Sequence, residues 1–567
     1  MARNARTVGW LVSSALGVSA WACGGGGGGT TPPPPGPTCS TAAGQSVTLG
    51  AGTYQAIPPV PSAGCLILPG NASTTDSTRY LLAAQIATDV EGATAPFILD
   101  GDTVHPALMA ASVSPLSAGG LGVGERFHDF LRQQERTHFA GLTLAPPTAA
   151  AGQAAPASIA APPTVGSSRT FKVCSNLTCS STATVTATAK TVNGHLAIYV
   201  DNNAPANGLT QTDLDSLGAL FDTRLYAIDT TAFGRESDID TNSVVIVLMT
   251  NVVNQLVTKT VCKTQGFVAG FFFGADIDPQ FASSYNHGEI FYSIVADPDS
   301  TLSCAHSVAR LKSLVPVTFI HEFQHMISYN QHVLVRGGSP QVTWLDEGMS
   351  HFAEELGGRS FLPTDQASFS NFVIGDLINS YFYLDSTATH FLAFSSGIGT
   401  LSERGAAWLL MRYMADQYAA DTSFTSIAAF TRSIELNSLQ GAPAIANVTG
   451  TPFATIVERW ALANYVSDLP GFAAPPELQY KSWHFRTTFA SLNQQAPSIF
   501  AKPFPLTPPL TAGSAVSISG TLHAGSANYA LAFQPPSGAG FDLLFSGPNG
   551  AALLGSNVPR LNVIRIH

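Results

Sequence analysis

Charged side chains are scarce in this sequence. Only 11% of its 567 residues are charged, against about 25% in an average soluble protein, and 26 Lys and Arg face 37 Asp and Glu. So few basic residues exclude the basic surface that nucleic-acid binding requires. Long apolar runs are also missing, and none reaches the roughly 20 residues of a membrane-spanning helix, which excludes an integral channel or transporter. With 45% hydrophobic residues, we expect a folded chain of about three or four domains.

The N-terminus has the pattern of a secretory signal peptide at residues 1–22, with two arginines before an apolar run and small residues after it. Its AWAC ending resembles a bacterial lipoprotein signal, which predicts lipidation of Cys23, with ordinary cleavage near Ala20 or Ala22 as the alternative. The Gly-rich and Pro-rich residues 23–38 would then be a spacer. We expect a bacterial envelope lipoprotein, attached to the membrane only by this anchor, or an extracellular protein.

Cysteines are few, with seven in the chain. Without the lipidated one, an even number remains, which favours disulfides in an oxidising compartment. No CxxC pair is present, so a zinc ribbon is disfavoured. Other pairings stay open, but sequence proximity predicts three disulfides: Cys39 with Cys65, Cys174 with Cys179, and Cys262 with Cys304.

Composition divides the rest of the chain into four segments. Residues 39–140 have short apolar stretches broken by Gly and Pro, followed by an amphipathic pattern at 125–140, which predicts a small β domain plus a helix. Residues 141–168 are Ala/Pro-rich and predict a linker. Residues 169–475 mix strand and helix patterns and predict an α+β domain, whereas 476–567 predict a β-sandwich-like C-terminal domain.

The stretch VPVTFIHEFQHMISYN contains His321, Glu322 and His325 in an HExxH pattern. On a helix, a spacing of four places both imidazoles on one face, within reach of one zinc ion. Apolar neighbours favour a helix here, with Pro316 in its first turn. The pattern predicts that both histidines bind Zn²⁺ and that Glu322 is the general base, the alternative being a chance pentapeptide on a buried helix.

A catalytic zinc site needs a third protein ligand and an open position for water. Downstream, WLDEGMSHFAEEL predicts a second helix that supplies Glu347 as this ligand. Glu354 lies on the same face two turns later, where it is placed to accept a hydrogen bond from a ligand histidine. A solvated helix end is the alternative for Glu354 and Glu355.

These motifs resemble those of the gluzincin metallopeptidases, in which a Glu in a WLNEGxA-type helix completes HExxH. The chain more closely resembles the hyicolysin-type secreted bacterial zinc proteases over about residues 192–466, in FVAGFFFGAD, HGEIFY, VPVTFIHEFQHMISYNQ, TWLDEGMSHFAEEL and GAAWLLMRYMADQY. The resemblance implies an α+β catalytic domain with a helical active site, one Zn²⁺ held by His321, His325 and Glu347, and Glu322 as general base.

Two positions depart from the gluzincin pattern. Asp346 stands where an Asn is common, and Ser402 stands where related aminopeptidases have the Tyr that stabilises the oxyanion. Aromatic residues in a helical region more often pack in the core than take part in catalysis, which is the alternative for the residues considered next. The candidates for the missing oxyanion donor are Tyr381, Tyr383, His390 and Tyr413.

A second cation site is weakly indicated by Asp238, Asp240 and Asn242 in ESDIDTN, whose alternate oxygen side chains suit Ca²⁺. The segment lacks the central Gly and final Glu of a complete calcium-binding loop, which favours a polar turn. Three other histidines are expected at the surface or in the core rather than on a metal: His287, His306 and His351.

The motifs together predict a secreted or surface-anchored zinc endopeptidase that acts on proteins or peptides. The hyicolysin resemblance and the absence of a GxMEN-type motif favour an endopeptidase over an exopeptidase. Outside the enzymes, the alternative is a surface-displayed adhesin or carbohydrate-binding protein with a zinc site and little or no peptidase activity, although Glu322 counts against it. The sequence leaves open the substrate specificity, the oligomeric state and whether residues 24–165 form a pro-segment.

Overall fold

The structure of the protein, a computed structural model, describes residue 39 and residues 44–59, 63–101, 122–138, 161–395 and 399–567. The predicted signal peptide, Cys23, the spacer and most of the predicted linker lie outside these residues. The described part is mixed α+β, as predicted, with several sheets and a large helical region.

Strands in the described part of the chain form two five-stranded sheets and one six-stranded sheet. The strands are β1 (Gln45–Ser46), β2 (Tyr54–Ile57), β3 (Cys65–Leu68), β4 (Thr78–Ile86), β5 (Thr94–Gly101), β6 (Ser168–Cys174), β7 (Thr182–Val192), β8 (Leu196–Asp201), β9 (Val245–Met249), β10 (Gly270–Phe272), β11 (Ile290–Ser293), β12 (Leu510–Ala512), β13 (Ser517–His523), β14 (Ala527–Gln534), β15 (Phe541–Ser546) and β16 (Pro559–Arg565).

Most of the helices follow the six-stranded sheet in the chain. The helices are α1 (Val123–Arg136), α2 (Gln211–Leu220), α3 (Tyr226–Ala232), α4 (Asn251–Asn254), α5 (Lys259–Gln265), α6 (Val308–Tyr329), α7 (Thr343–Arg359), α8 (Gln366–Asp385), α9 (Leu401–Tyr418), α10 (Phe424–Glu435), α11 (Gly441–Thr449), α12 (Phe453–Val466) and α13 (Phe485–Gln495). Among the described residues, no helix combines the length and apolar character needed to cross a membrane.

The two five-stranded sheets each contain strands from both ends of the chain. One has the order β1-β3-β15-β5-β13 and the other β12-β14-β4-β16-β2. Leu82 and Phe97 from the N-terminal strands share a buried cluster with Leu543 and Val563 from the C-terminal strands. The prediction of two separate β domains, at 39–140 and at 476–567, is therefore wrong. Each segment alone would have strands with unpaired edges. These edges become paired because N-terminal and C-terminal strands alternate within the same sheets.

The C-terminal boundary at 476 is also wrong. Helix α13 and the segment before it pack with the helical region: the Trp483 indole donates to Glu355 Oε1 at 2.8 Å, and the Ser482 hydroxyl donates to Asp416 Oδ1 at 2.5 Å. The sandwich strands of the C-terminal segment begin only at β12. Residues 475–509 are rich in Pro and therefore resemble loops between strands in composition. Their apolar side chains nevertheless pack in the core of the helical region.

The six-stranded sheet has the order β10-β11-β9-β8-β7-β6, in which β8, β9 and β11 are parallel and β10 is an antiparallel edge strand. The strand β9, Val245–Met249, is buried along its whole length, as expected for a parallel strand covered on both faces. Helix α6 packs against the edge strand β10. This packing places the HExxH helix beside the edge strand of the sheet.

Helix α6 begins earlier than the sequence predicts. Ser307 caps it, with the hydroxyl accepting from the Arg310 N–H at 3.2 Å, and the helix then runs from Val308 through Pro316. The proline is therefore inside the helix, and its predicted place in the first turn is wrong. The serine cap two turns upstream determines the start.

Two of the three predicted disulfides are bonded, Cys174 with Cys179 and Cys262 with Cys304. The third pair is wrong in this structure, because Cys39 and Cys65 are both free thiols. The Cys39 thiol instead donates to the Leu543 carbonyl at 3.3 Å, and burial, followed by its contact with Cys65, raises its pKa. The hydrogen bond to Leu543 therefore connects Cys39 to β15.

Candidate metal centre

Helices α6 and α7 bring the three predicted zinc ligands together. His321 Nε2 lies 3.2 Å from His325 Nε2, and Glu347 Oε2 lies 3.7 Å and 4.0 Å from these two atoms. A tetrahedral zinc ion with bonds of about 2.0–2.1 Å has ligand atoms about 3.3 Å apart. The three side chains therefore have a spacing that fits one zinc ion.

The orientation of both imidazoles is fixed by carboxylates on α7. His321 Nδ1 is 2.7 Å from Glu354 Oε1, and His325 Nδ1 is 2.9 Å from Asp346 Oδ2. These partners assign the ring proton of each histidine to Nδ1. Both Nε2 atoms then carry lone pairs that face each other at 3.2 Å, an arrangement that a cation between them would stabilise.

Glu347 is fully buried, and neither of its carboxylate oxygens accepts a hydrogen bond from the described residues. Arg404 Nη1 lies 3.1 Å from Oε2. Burial opposes ionisation, yet the charge of the Arg404 guanidinium holds the pKa of Glu347 well below its usual range. An ionised, under-coordinated carboxylate beside two imidazole lone pairs is a suitable donor set for Zn²⁺.

Glu322 is held by the edge strand β10. Its Oε2 accepts from the Phe272 N–H at 2.9 Å, and its Oε1 lies 3.4 Å from His128 Nδ1. Burial raises the pKa of Glu322 to about 8, against the opposing charge of Arg132. Burial therefore makes the Glu322 carboxylate a stronger base, which suits it to take a proton from water.

Helix α1 contributes to this site, which the sequence analysis did not predict. The expected amphipathic helix at 125–140 is present as α1, although it packs on the main core of the α+β region and not in a separate N-terminal domain. Arg132 donates to the Phe272 carbonyl at 3.0 Å and lies 3.8 Å from Asp346 Oδ2, while His128 faces Glu322. No local motif marks these residues, because only the tertiary fold brings them to α6.

A cavity of about 580 Å³ opens onto the site. This volume is in the usual range for a ligand cavity. Its walls come from α1, β10, α6, α7, α8 and α9, and its polar lining includes Glu125, His128, His321, Glu322, His351, Glu354, Asn371 and Arg404.

None of the four oxyanion candidates lines this cavity, and neither does Ser402. Each candidate has a structural partner elsewhere: Tyr381 with Lys502, Tyr383 with Ser526, Tyr413 with Glu477 and His390 with Glu403. The prediction that one of them replaces the missing tyrosine has no support in this geometry. His128 and Arg404, which do line the cavity, were missed.

The remaining predicted residues separate into buried and exposed ones. Glu354 and Glu355 are both buried, so the alternative of a solvated helix end is wrong. His351 is buried in the cavity wall with Nδ1 2.9 Å from Asp376 Oδ1, and despite burial the charge of Glu354 and the hydrogen bond to Asp376 raise its pKa to about 10. His306 packs beside the Cys262–Cys304 disulfide, and His287 lies in an exposed turn.

The predicted calcium residues have different surroundings. Asp238 and Asp240 approach Glu289, which precedes β11. Asn242 does not point its oxygen at them, since Oδ1 accepts from the Val244 N–H at 2.7 Å and Nδ2 donates to Asp240. Asn242 is therefore part of the polar turn that the sequence favours, and the alternative role as a calcium ligand has no support for this residue.

Comparison with known proteins gives no family assignment. No protein-family model matches the chain, and no curated protein matches it in a sequence search. Its chemistry must be argued from the site itself.

Proposed function

We propose that this chain is a zinc-dependent endopeptidase, secreted or attached to the bacterial envelope through Cys23, that hydrolyses peptide bonds in proteins or peptides. One observation carries the proposal: two imidazoles turned by carboxylates so that their Nε2 lone pairs converge beside the ionised Glu347. Three protein ligands leave a position for water, which is the arrangement of catalytic zinc. Glu322 stands next to this position with an acceptor oxygen toward the cavity.

Bound zinc would supply Lewis-acid polarisation of a water molecule and of the scissile carbonyl. Glu322 takes the water proton on its carboxylate and delivers it to the leaving amine nitrogen. The Phe272 N–H holds the other carboxylate oxygen, so that Glu322 keeps one orientation through both transfers. Glu354 and Asp346 keep the Nδ1 protons of the two histidines in place.

His128 is the residue we assign to the developing negative charge on the carbonyl oxygen. Burial, followed by the charge of Arg404, lowers its pKa well below the usual range, so the ring is neutral and donates through one N–H. It lines the cavity beside Glu322, and we expect its N–H to donate to the carbonyl oxygen of a bound substrate. The resemblance to hyicolysin-type proteases favours internal cleavage over removal of terminal residues.

The purified protein and its Glu322→Gln variant test this function. We expect about one zinc per chain in both, by elemental analysis, and chelator-sensitive casein hydrolysis in the wild type only. The variant should lose at least about 10²-fold to 10³-fold in rate, because the amide keeps the shape of the carboxylate but does not accept the proton.

Glu458→Gln is the matched control, since Glu458 pairs with Arg560 of β16 and does not line the cavity, so this variant should retain full activity. Cleavage of peptides blocked at both termini would separate an endopeptidase from an exopeptidase. Zinc without cleavage by the wild type would contradict the proposal and favour a surface binding protein.

A further inference from the structure

A second group of acidic side chains lies at the start of strands β9 and β11. One carboxylate oxygen from each of Asp238, Asp240 and Glu289 lies within 4.8 Å of the others. Asp238 and Asp240 belong to the loop before β9, and Glu289 directly precedes β11. The parallel pairing of these two strands brings the loop and Glu289 together.

Glu289 distinguishes this group from an ordinary acidic surface. Its side chain is only 1% exposed, and Oε2 has no hydrogen-bond partner among the described residues. Oε1 accepts from the Ser237 hydroxyl at 2.5 Å and from the Ile239 N–H at 3.0 Å, which fixes the carboxylate toward the loop. A buried carboxylate oxygen without a partner is costly to maintain, and a bound cation would satisfy it.

The charges around the group do not balance. Arg169 is the cation that pairs with it in the described part of the chain, with Nη1 3.5 Å from Asp240 Oδ2 and Nη2 donating to the Asn286 carbonyl at 2.6 Å. Three carboxylates and one guanidinium leave a charge of minus two when all are ionised. Burial raises the pKa of Asp240 and raises that of Glu289 to about 7.

We propose that Asp238, Asp240 and Glu289 bind one calcium ion. The donors are all oxygens, which suits a hard cation and disfavours zinc or copper. Calcium takes six to eight oxygen ligands at about 2.3–2.6 Å in irregular geometry, so carboxylates spread over up to 4.8 Å can share it, with water filling the rest. Magnesium requires near-octahedral geometry at shorter distances, which a loop of this kind supplies less readily.

The bound ion would tie the loop at 238–243 to the first residue before β11. This loop has left-handed backbone at Thr241 and Ser243, and its C-terminal end leads into β9, which pairs in parallel with β11. Calcium would therefore stabilise the sheet on which α6 packs, without touching the zinc ligands.

Calorimetric titration of the zinc-loaded protein with calcium tests the site, in a buffer freed of calcium that contains zinc. We expect the wild type to bind one more calcium per chain than Glu289→Gln or Asp238→Asn. Its Tm should rise by about 2–3 °C at a calcium concentration 100 times Kd, and neither variant should show this rise.

Asp299→Asn is the control, because Asp299 is a surface carboxylate that accepts from Asn207 outside the group. It should bind calcium as the wild type does. Asp238 is exposed, so Asp238→Asn keeps the test valid if Glu289→Gln does not fold. Equal calcium binding by wild type and both variants, no binding by the wild type, or a preference for magnesium would each overturn the proposal.

Discussion

The histidines of the HExxH motif depend on a stripe of oxygen atoms along one face of α7. Asp346, Ser350 and Glu354 follow one another at four-residue spacing, and the Ser350 hydroxyl lies 3.1 Å from His325 Nδ1. Asp346, which departs from the common Asn, contributes a full negative charge to this stripe. A carboxylate at this position makes the His325 ring a stronger electron donor than an amide would.

A buried carboxylate outside the site allows a pH prediction. Asp229 in α3 is fully buried, its two oxygens accept no hydrogen bond from the described residues, and burial raises its pKa well above the usual value. The native state thus keeps a proton that the unfolded chain loses above about pH 4. The stability from this group is fully present below that pH and is lost as pH rises toward the folded-state pKa.

Asp229→Asn removes this titration. Between about pH 5 and 7, the free energy of unfolding of the variant minus that of the wild type should increase by up to about 1.4 kcal/mol for each unit of pH. Chemical denaturation at several pH values measures the slope, and Asp385→Asn, at a surface ion pair with Lys502, should leave it unchanged. Parallel profiles for Asp229→Asn and wild type would show that Asp229 ionises normally.

The sequence predicts the part of the site that lies close together in the chain. His321, Glu322 and His325 share one helical turn, and Glu354 follows from the period of α7. Glu289 and His128 have no such signal, because strand pairing and helix packing bring them to their partners from distant segments. Sequence spacing carries no information about those contacts.

Helix α1 is the element whose place was least predictable. Its amphipathic pattern predicts a helix but not what the apolar face covers. Phe127 and Leu131 pack in the main core, and Val123 packs in a smaller cluster with Val257 and Cys262. The helix also carries a buried ion pair, with Arg132 Nη2 3.1 Å from Glu135 Oε1. Removing either partner would leave an unpaired buried charge, so the pair favours this one placement of the helix.

His128→Ala tests the contribution of α1 to catalysis. We expect kcat to fall by about 10²-fold with zinc content unchanged and KM little altered, because a donor to the transition state would be lost and no ligand removed. His128→Gln, which keeps an N–H donor, should recover part of the rate. Gln133→Ala lies on the exposed side of the same helix and serves as the control. An unaltered kcat in His128→Ala would remove His128 from the mechanism.

At the scale of the whole molecule, the sandwich joins both ends of the chain to the helical region. The Tyr529 hydroxyl donates to the Ala461 carbonyl at 2.7 Å, and the Leu392 N–H donates to the Ala524 carbonyl at 2.9 Å. Strands β4 and β5 each lie between C-terminal strands in their sheets. The N-terminal segment is thus an integral part of the fold, which argues against a removable pro-segment at 24–165.

Deletion of residues 1–160 should therefore inactivate the protein. It removes β4, β5 and α1, exposing the inner faces of both sheets and the wall of the cavity. We expect an insoluble or unfolded product by circular dichroism and no casein hydrolysis, whereas deletion of residues 1–38 should leave activity intact. A soluble and active chain beginning at residue 161 would instead identify the N-terminal segment as a pro-segment.

The paired ends also set the order in which the protein is completed. Asn562 in β16 donates to the Ala83 carbonyl in β4 across 479 residues of chain, so this side of β4 has no strand partner until β16 has been synthesised. Contacts of such sequence separation form slowly. The sandwich therefore cannot close before β16 has left the ribosome, and the whole helical region is synthesised before that.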